Sequence, residues 1–274
     1  MPLDIIMNLF SDLLIIIRDE FGNVIYPTDP QVLKYVDDLK PIKSKKHNEL
    51  VHPDSKRVYQ ILNTSYHEGF NTYYITRYVE ITDYKKRERE LQTDETTGLI
   101  IKKAAYKEFN EYISECISNG EEFSTVLVDA DFFKRVNDTY GHLAGDYVLR
   151  YIADTLKQQT RHSESRPKDL VGRIGGEEFL VVLKNIPATV TLQRMNQIRE
   201  SIANSSIVFE GQPINITCSF GVVHVPSKEI KLVPKNPEKI DMLRSQLQHT
   251  ADLQLYKAKE SGRNNVQIKR YTIQ

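Results

Sequence analysis

Leu170-Val171-Gly172-Arg173-Ile174-Gly175-Gly176-Glu177-Glu178-Phe179-Leu180-Val181-Val182-Leu183 reads as two apolar arms around a pair of glycines and a pair of carboxylates. The arms, residues 170–174 and 179–183, predict a β-hairpin. Adjacent glycines permit a tight turn and let a bulky ligand approach the backbone with no Cβ in the way. Two carboxylates beside that turn are costly unless something positive neutralises them. A divalent metal carrying phosphates is the natural candidate. Taken alone, the motif describes an ordinary hairpin turn with solvated acids.

A second acidic cluster, Asp129-Ala130-Asp131, favours the metal. It closes the apolar run 123–128, which predicts a buried strand. Alternation along a strand turns Asp129 and Asp131 to the same face. Phe132-Phe133-Lys134-Arg135-Val136-Asn137-Asp138, Tyr140-Gly141-His142 and Gly145-Asp146 follow, a loop and helix start rich in donors. Oxygen ligands for magnesium, a cation for phosphate and groups for a base edge are what metal-assisted phosphoryl or nucleotidyl transfer needs.

Outward from these clusters the pattern alternates. Helices are predicted over 104–117, 146–159, 192–203 and 242–260, and strands over 214–223 and 265–269. In the first helix Tyr106, Phe109, Tyr112, Ile113 and Cys116 recur at helical spacing. The result is an α/β sandwich with a mostly antiparallel sheet. Residues 227–238 read as a loop or small insertion. Residues 1–82 carry β-type segments, with strand, turn and strand over 13–26 and a longer strand over 71–82. Residues 83–93 form a charged helix about three turns long, either a solvated linker or a signalling helix that pairs with its twin.

The 274 residues suffice for one large or two ordinary domains. Lys plus Arg equals Asp plus Glu at 37 each, which argues against wholesale binding to nucleic acid or anionic membrane. Leu13-Leu14-Ile15-Ile16-Ile17 is far short of the roughly 20 residues of a membrane span, and the start lacks a signal peptide's basic region. Cys116 and Cys218 lack metal-ligand spacing and read as reduced packing residues. A cytoplasmic protein is expected.

Residues 94–270 resemble a GGDEF domain, the catalytic unit of diguanylate cyclases. The matching motifs, in order, are Asp94 with Thr97-Gly98-Leu99; Val128 to Lys134; Asn137 to His142; Gly145-Asp146; Gly175 to Phe179; Ser219-Phe220-Gly221-Val222; and Leu255 to Lys259 with Gly262-Arg263-Asn264. The resemblance implies an α/β (α+β) fold of the palm-like nucleotidyl-cyclase type over 94–274. It implies condensation of two GTP into cyclic di-GMP with release of two pyrophosphates, by a homodimer holding one GTP on each facing subunit.

By position, Asp129, the Ala130 carbonyl, Glu177 and Glu178 would hold magnesium, with manganese as an alternative. Glu177 would accept the proton of the attacking hydroxyl, and Lys134 would stabilise phosphate charge. Asn137 and Asp146 would read guanine, and His142 lies in the substrate loop. Lys259 and Arg263, four apart, are expected on one helix face, meeting the triphosphate. Arg166 and Asp169 resemble the family's product-inhibition site, with Arg199 contributing a second half-site. Thr96, Ile101 and Lys102 depart from the family's lead-in motif, which bears on signal transmission more than on chemistry.

Residues 1–82 resemble a PAS sensor: Asp19 to Asn23 after a strand, His52-Pro53-Asp54, and Glu80-Ile81-Thr82-Asp83 running into a helix. No haem or flavin signature is visible, and His47, His52 and His67 read as surface or packing residues. An unknown small molecule or protein would supply the signal. The alternative to an active cyclase is a catalytically silent module that binds GTP or cyclic di-GMP. A variant accepting ATP would favour Ser or Thr at 146, and Asp146 opposes it.

Overall fold

The computed structural model describes residues 14–26, 30–38, 40–41, 49–68, 70–160 and 169–273. The chain divides into two compact units, Met1–Glu90 and Leu91–Gln274.

The first unit contains β1 (Leu14–Arg18), β2 (Val24–Tyr26), α1 (Pro30–Asp37), β3 (Lys40–Pro41), β4 (Glu49–Val51), β5 (Val58–Glu68), β6 (Asn71–Glu80) and α2 (Thr82–Leu91). Its antiparallel sheet runs β2-β1-β6-β5-β4-β3. The β1–β2 turn is closed by Asp19, whose carboxylate accepts from the backbone N–H groups of Phe21 (3.0 Å) and Asn23 (2.7 Å). Ile16, Val36 and Tyr59 form a small core under α1. Lys85 on α2 pairs with Glu49 at 2.9 Å.

The second unit contains β7 (Ile100–Ile101), α3 (Lys102–Asn119), β8 (Phe123–Ala130), α4 (Phe133–Tyr140), α5 (His142–Gln158), β9 (Leu170–Arg173), β10 (Glu178–Lys184), α6 (Ala188–Ala203), β11 (Ile207–Phe209), β12 (Gln212–Ile214), β13 (Cys218–Val225), α7 (Ser227–Ile230), α8 (Pro237–Glu260) and β14 (Val266–Arg270). Its main sheet runs β14-β13-β8-β10-β9-β7. The central pairs are antiparallel; β13–β14 and β7–β9 are parallel. β8 is buried along its whole length and sorts its side chains by alternation. Val126, Val128 and Ala130 enter a core with α4, α5 and α6, while Phe123 and Leu127 enter another with α3 and α8. Each fully buried large side chain stabilises the layers by roughly 1.5–3 kcal/mol.

Every helix and strand expected from residue 94 onward is present, with shifted ends. α8 begins at Pro237 rather than 242, because Asn236 caps it by accepting from Glu238 N–H at 2.8 Å. The predicted loop over 227–238 contains the short α7 and this cap. The predicted strand over 214–223 divides into β12 and β13. Gly221 lies where α8 crosses β13: an added Cβ would fall 2.1 Å from the Ala251 carbonyl oxygen, so only glycine allows that approach. Cys116 and Cys218 are free and buried.

Candidate functional site

The site lies at the end of β8. Asp129 shares its strand face with Phe123 and Leu127, the face covered by α8, and Lys259 from that helix reaches it at 2.8 Å. Glu178 stands directly opposite Asp129 in the antiparallel register, and Glu177 precedes it. Ala130 N–H donates to the Glu177 carbonyl at 3.2 Å, fixing the acidic pair against the strand. Like charges opposite one another across strands are destabilising. Burial first, then the neighbouring Asp129, pushes the Glu177 carboxyl above the ordinary glutamate range; Glu178 adds to this and Lys259 opposes it. Burial likewise raises Asp129, against the pull of Lys259.

Among the described residues no three His, Cys, Asp or Glu side chains converge as a metal-holding group. The acids stand as neighbours around one lysine rather than as a closed cage. Their donors are all oxygen and their negative charge is in excess, which suits a hard divalent cation. Asp131, expected on the same face as Asp129, serves otherwise. It lies just beyond the strand and is buried, accepting from Thr217 Oγ1 and Ser219 Oγ, both at 2.7 Å.

Gly175 owes its place in the turn to space rather than to φ. Neither Gly175 nor Gly176 is left-handed. A Cβ on Gly175 would fall 2.3 Å from Glu178 Oε2, whereas one on Gly176 would meet nothing within 4 Å. Arg173 braces the turn by donating to the Gly176 carbonyl through Nη2 (2.6 Å) and to Asp94 through Nη1 (2.9 Å). Asp94 also accepts from Thr97 N–H and Oγ1. Burial raises the Asp94 carboxyl, but its bonds from Thr97 and Arg173 outweigh that and hold it low. Arg173 thus ties the chain's lead-in to the signature turn. Sequence reading missed it, because a single arginine at a strand end carries no signal until Asp94 is seen beside it.

Beside the acids opens a groove of about 440 Å³ lined by Phe133, Lys134, Asn137, His142, Asp146, Leu149, Arg173, Gly176 and Glu177. Its size is ordinary for a small-molecule site. Asn137 on α4 and Asp146 on α5 face it together. A Cβ on the buried Gly145 would fall 1.9 Å from Asn137 Oδ1, so this glycine leaves the room that the amide occupies.

A family model described as "Diguanylate cyclase, GGDEF domain" matches residues 91–265. The chain belongs to the GGDEF-domain family. It is 35% identical over 185 residues to diguanylate cyclase A of Treponema denticola, covering 66% of this chain and 45% of that protein. It is 36% identical over 191 residues to diguanylate cyclase DgcM of Escherichia coli K12, covering 68% of this chain and 42% of the relative. The chain spans less than half the length of these two curated relatives.

The solved coiled coil and GGDEF domain of DgcB from Caulobacter crescentus, in complex with c-di-GMP, superposes with a TM-score of 0.58 at 25% identity, over 68% of this chain and 90% of that one. The active GGEEF domain of a Vibrio cholerae diguanylate cyclase gives a TM-score of 0.52 at 29% identity, over 64% of this chain and 99% of that one.

In this GGDEF domain the expected placement of Arg263, like that of Asp131, is corrected. α8 ends at Glu260, so Arg263 does not share a helix face with Lys259. It lies in a left-handed turn with Gly262 and Asn264, which a helix cannot contain, and stands near enough to Asp129 to lower that carboxyl. Both cations flank the acids but stand outside the groove's lining. Arg166 falls outside the described residues. Asp169 is buried, its carboxylate accepting from Lys184 N–H and from Arg194, both at 3.3 Å. Arg199 bonds to Asn196, Asn264 and Glu200. Among the described residues no helix is long and apolar enough to cross a membrane.

Proposed function

We propose that the protein is a diguanylate cyclase that joins two GTP molecules into cyclic di-GMP, each 3′-oxygen attacking the other's α-phosphate and expelling pyrophosphate. The observation that carries this reading is the single groove that places Asn137 and Asp146 together with Lys134 and Glu177. The first pair suits a guanine edge, since Asp146 can accept from its ring N–H and amino group. Lys134 lies toward the phosphates, and Glu177 is the acceptor for the 3′-hydroxyl proton. Lys259 and Arg263 add positive charge on the phosphate side.

Cyclases of this kind work with a divalent metal. Here Asp129, Glu177, Glu178 and the Ala130 carbonyl would hold it. Magnesium, with manganese as an alternative, would supply charge neutralisation for the triphosphate. Because each active site brings one GTP, the reaction takes a homodimer, with α2 and the first unit as the pairing elements. The first unit, an antiparallel sheet with a helix between β2 and β3, supports a PAS-like sensor that receives an unidentified signal.

Asp146→Ser is expected to lower discrimination between GTP and ATP by at least about a hundredfold, because the carboxylate is the group left unpaired by adenine. Competing turnover of the two nucleotides measures this, and unchanged discrimination would remove Asp146 from base recognition. We also assign Arg166 and Asp169 to product inhibition, with Arg194 holding Asp169 in place. Arg166→Ala should shift the cyclic di-GMP inhibition curve to higher concentration, and an unmoved curve would end that assignment.

A further inference from the structure

We propose that Phe132 is a positioning residue that carries Arg263 to the phosphate side of the site, an inference that rests on the cyclase reading above. Phe132 sits between β8 and α4 with φ 56° and ψ 28°, the left-handed region. A bulky aromatic residue there is a backbone outlier, and such strain persists where the surroundings fix it. Packing does not explain it: the ring is 53% exposed and belongs to neither core of the second unit. What the ring touches is a cation. The Arg263 guanidinium stacks at 4.3 Å from the ring centroid, and Arg135 stands at 5.7 Å.

Arg263 itself is unusual. Among the described residues its guanidinium makes no hydrogen bond or close ion pair, although its charge acts on Asp129, so the stack on Phe132 holds it while its donors stay open. Its backbone is fixed from the same junction. Asp131, next to Phe132, accepts from Asn264 N–H at 3.1 Å, and Arg263 N–H donates to the Ala258 carbonyl at 3.0 Å. Two consecutive residues therefore clamp the turn, Asp131 through its carboxylate on the Asn264 backbone and Phe132 through its ring on the Arg263 side chain. A guanidinium carried on a ring with free donors is arranged to receive an anionic group brought by substrate.

The test measures GTP affinity with magnesium by calorimetry, and kcat and KM, for the full chain, Phe132→Leu, Phe132→Tyr, Arg263→Ala and the double variant Phe132→Leu/Arg263→Ala. Phe132→Leu should weaken GTP binding about fivefold, the scale of an exposed cation–π contact, while Phe132→Tyr retains it. In the Arg263→Ala background the leucine should cost nothing further, the signature of one residue acting through the other. Equal losses in both backgrounds, or no rescue by tyrosine, would overturn the platform and leave the cyclase reading standing. No GTP binding by the unaltered chain would overturn both.

Discussion

Glu177→Ala is expected to cut cyclic di-GMP formation by at least about a thousandfold, near the upper range for loss of a positioned general base. The substitution also removes one of the acids gathered around Asp129, so metal affinity should fall with it. The fold should survive, because Glu177 lies in an open turn fixed through its backbone carbonyl, which the Ala130 N–H binds and alanine retains. Pyrophosphate release measured across a magnesium titration separates loss of the base from loss of metal, and a thermal melt on the same preparation checks the fold. Activity near that of the unaltered chain would take Glu177 out of the mechanism.

Gly145→Ala carries the second large effect, and two principles predict opposite signs for it. In a helix interior alanine is favoured over glycine by about 1 kcal/mol, so propensity alone predicts a more stable protein. The new methyl, however, would fall 1.9 Å from Asn137 Oδ1 and 3.1 Å from Phe133 Cζ. The first distance lies far inside contact and the second is tight, in a region buried by α4 and α5. We expect the clash to win. Asn137 must leave its place in the groove, and the KM for GTP should rise at least about tenfold, as loss of a base contact implies. Steady-state kinetics with a melt decides it. A higher melting temperature with an unchanged KM would show that Asn137 in this position does not read the base.

Much of this was legible because the informative residues are close in sequence. The hairpin, β8 and the acids at their junction follow from contiguous apolar runs and their neighbours, and Asn137, His142 and Asp146 fall within one short stretch. The fold class of the second unit was legible for the same reason: its helices and strands alternate with distinct periodicities. What escaped was tertiary or locally ambiguous. α4 mixes Asn137, Asp138 and Thr139, poor helix formers that also suit a loop, and its start is forced by a left-handed Phe132. β5 runs through Gln60, Asn63, Thr64 and Ser65 and lacks a clean alternation.

Arg263 looked helical by its distance from Lys259, but Gly262 and the bond from Asn264 to Asp131 turn the chain first. Asp131 illustrates the converse. Alternation assigned it to the acidic face, yet two hydroxyls and a backbone amide already satisfy it, and its work is to shape the turn bearing Arg263.

The most direct measurement is mass spectrometry of the product formed when purified protein is incubated with GTP and magnesium, with Glu177→Ala in parallel. Cyclic di-GMP with two pyrophosphates per product is expected from the unaltered chain and none from the variant. A folded dimer that binds GTP yet leaves it unchanged would contradict cyclase activity and mark the domain as a silent nucleotide receptor.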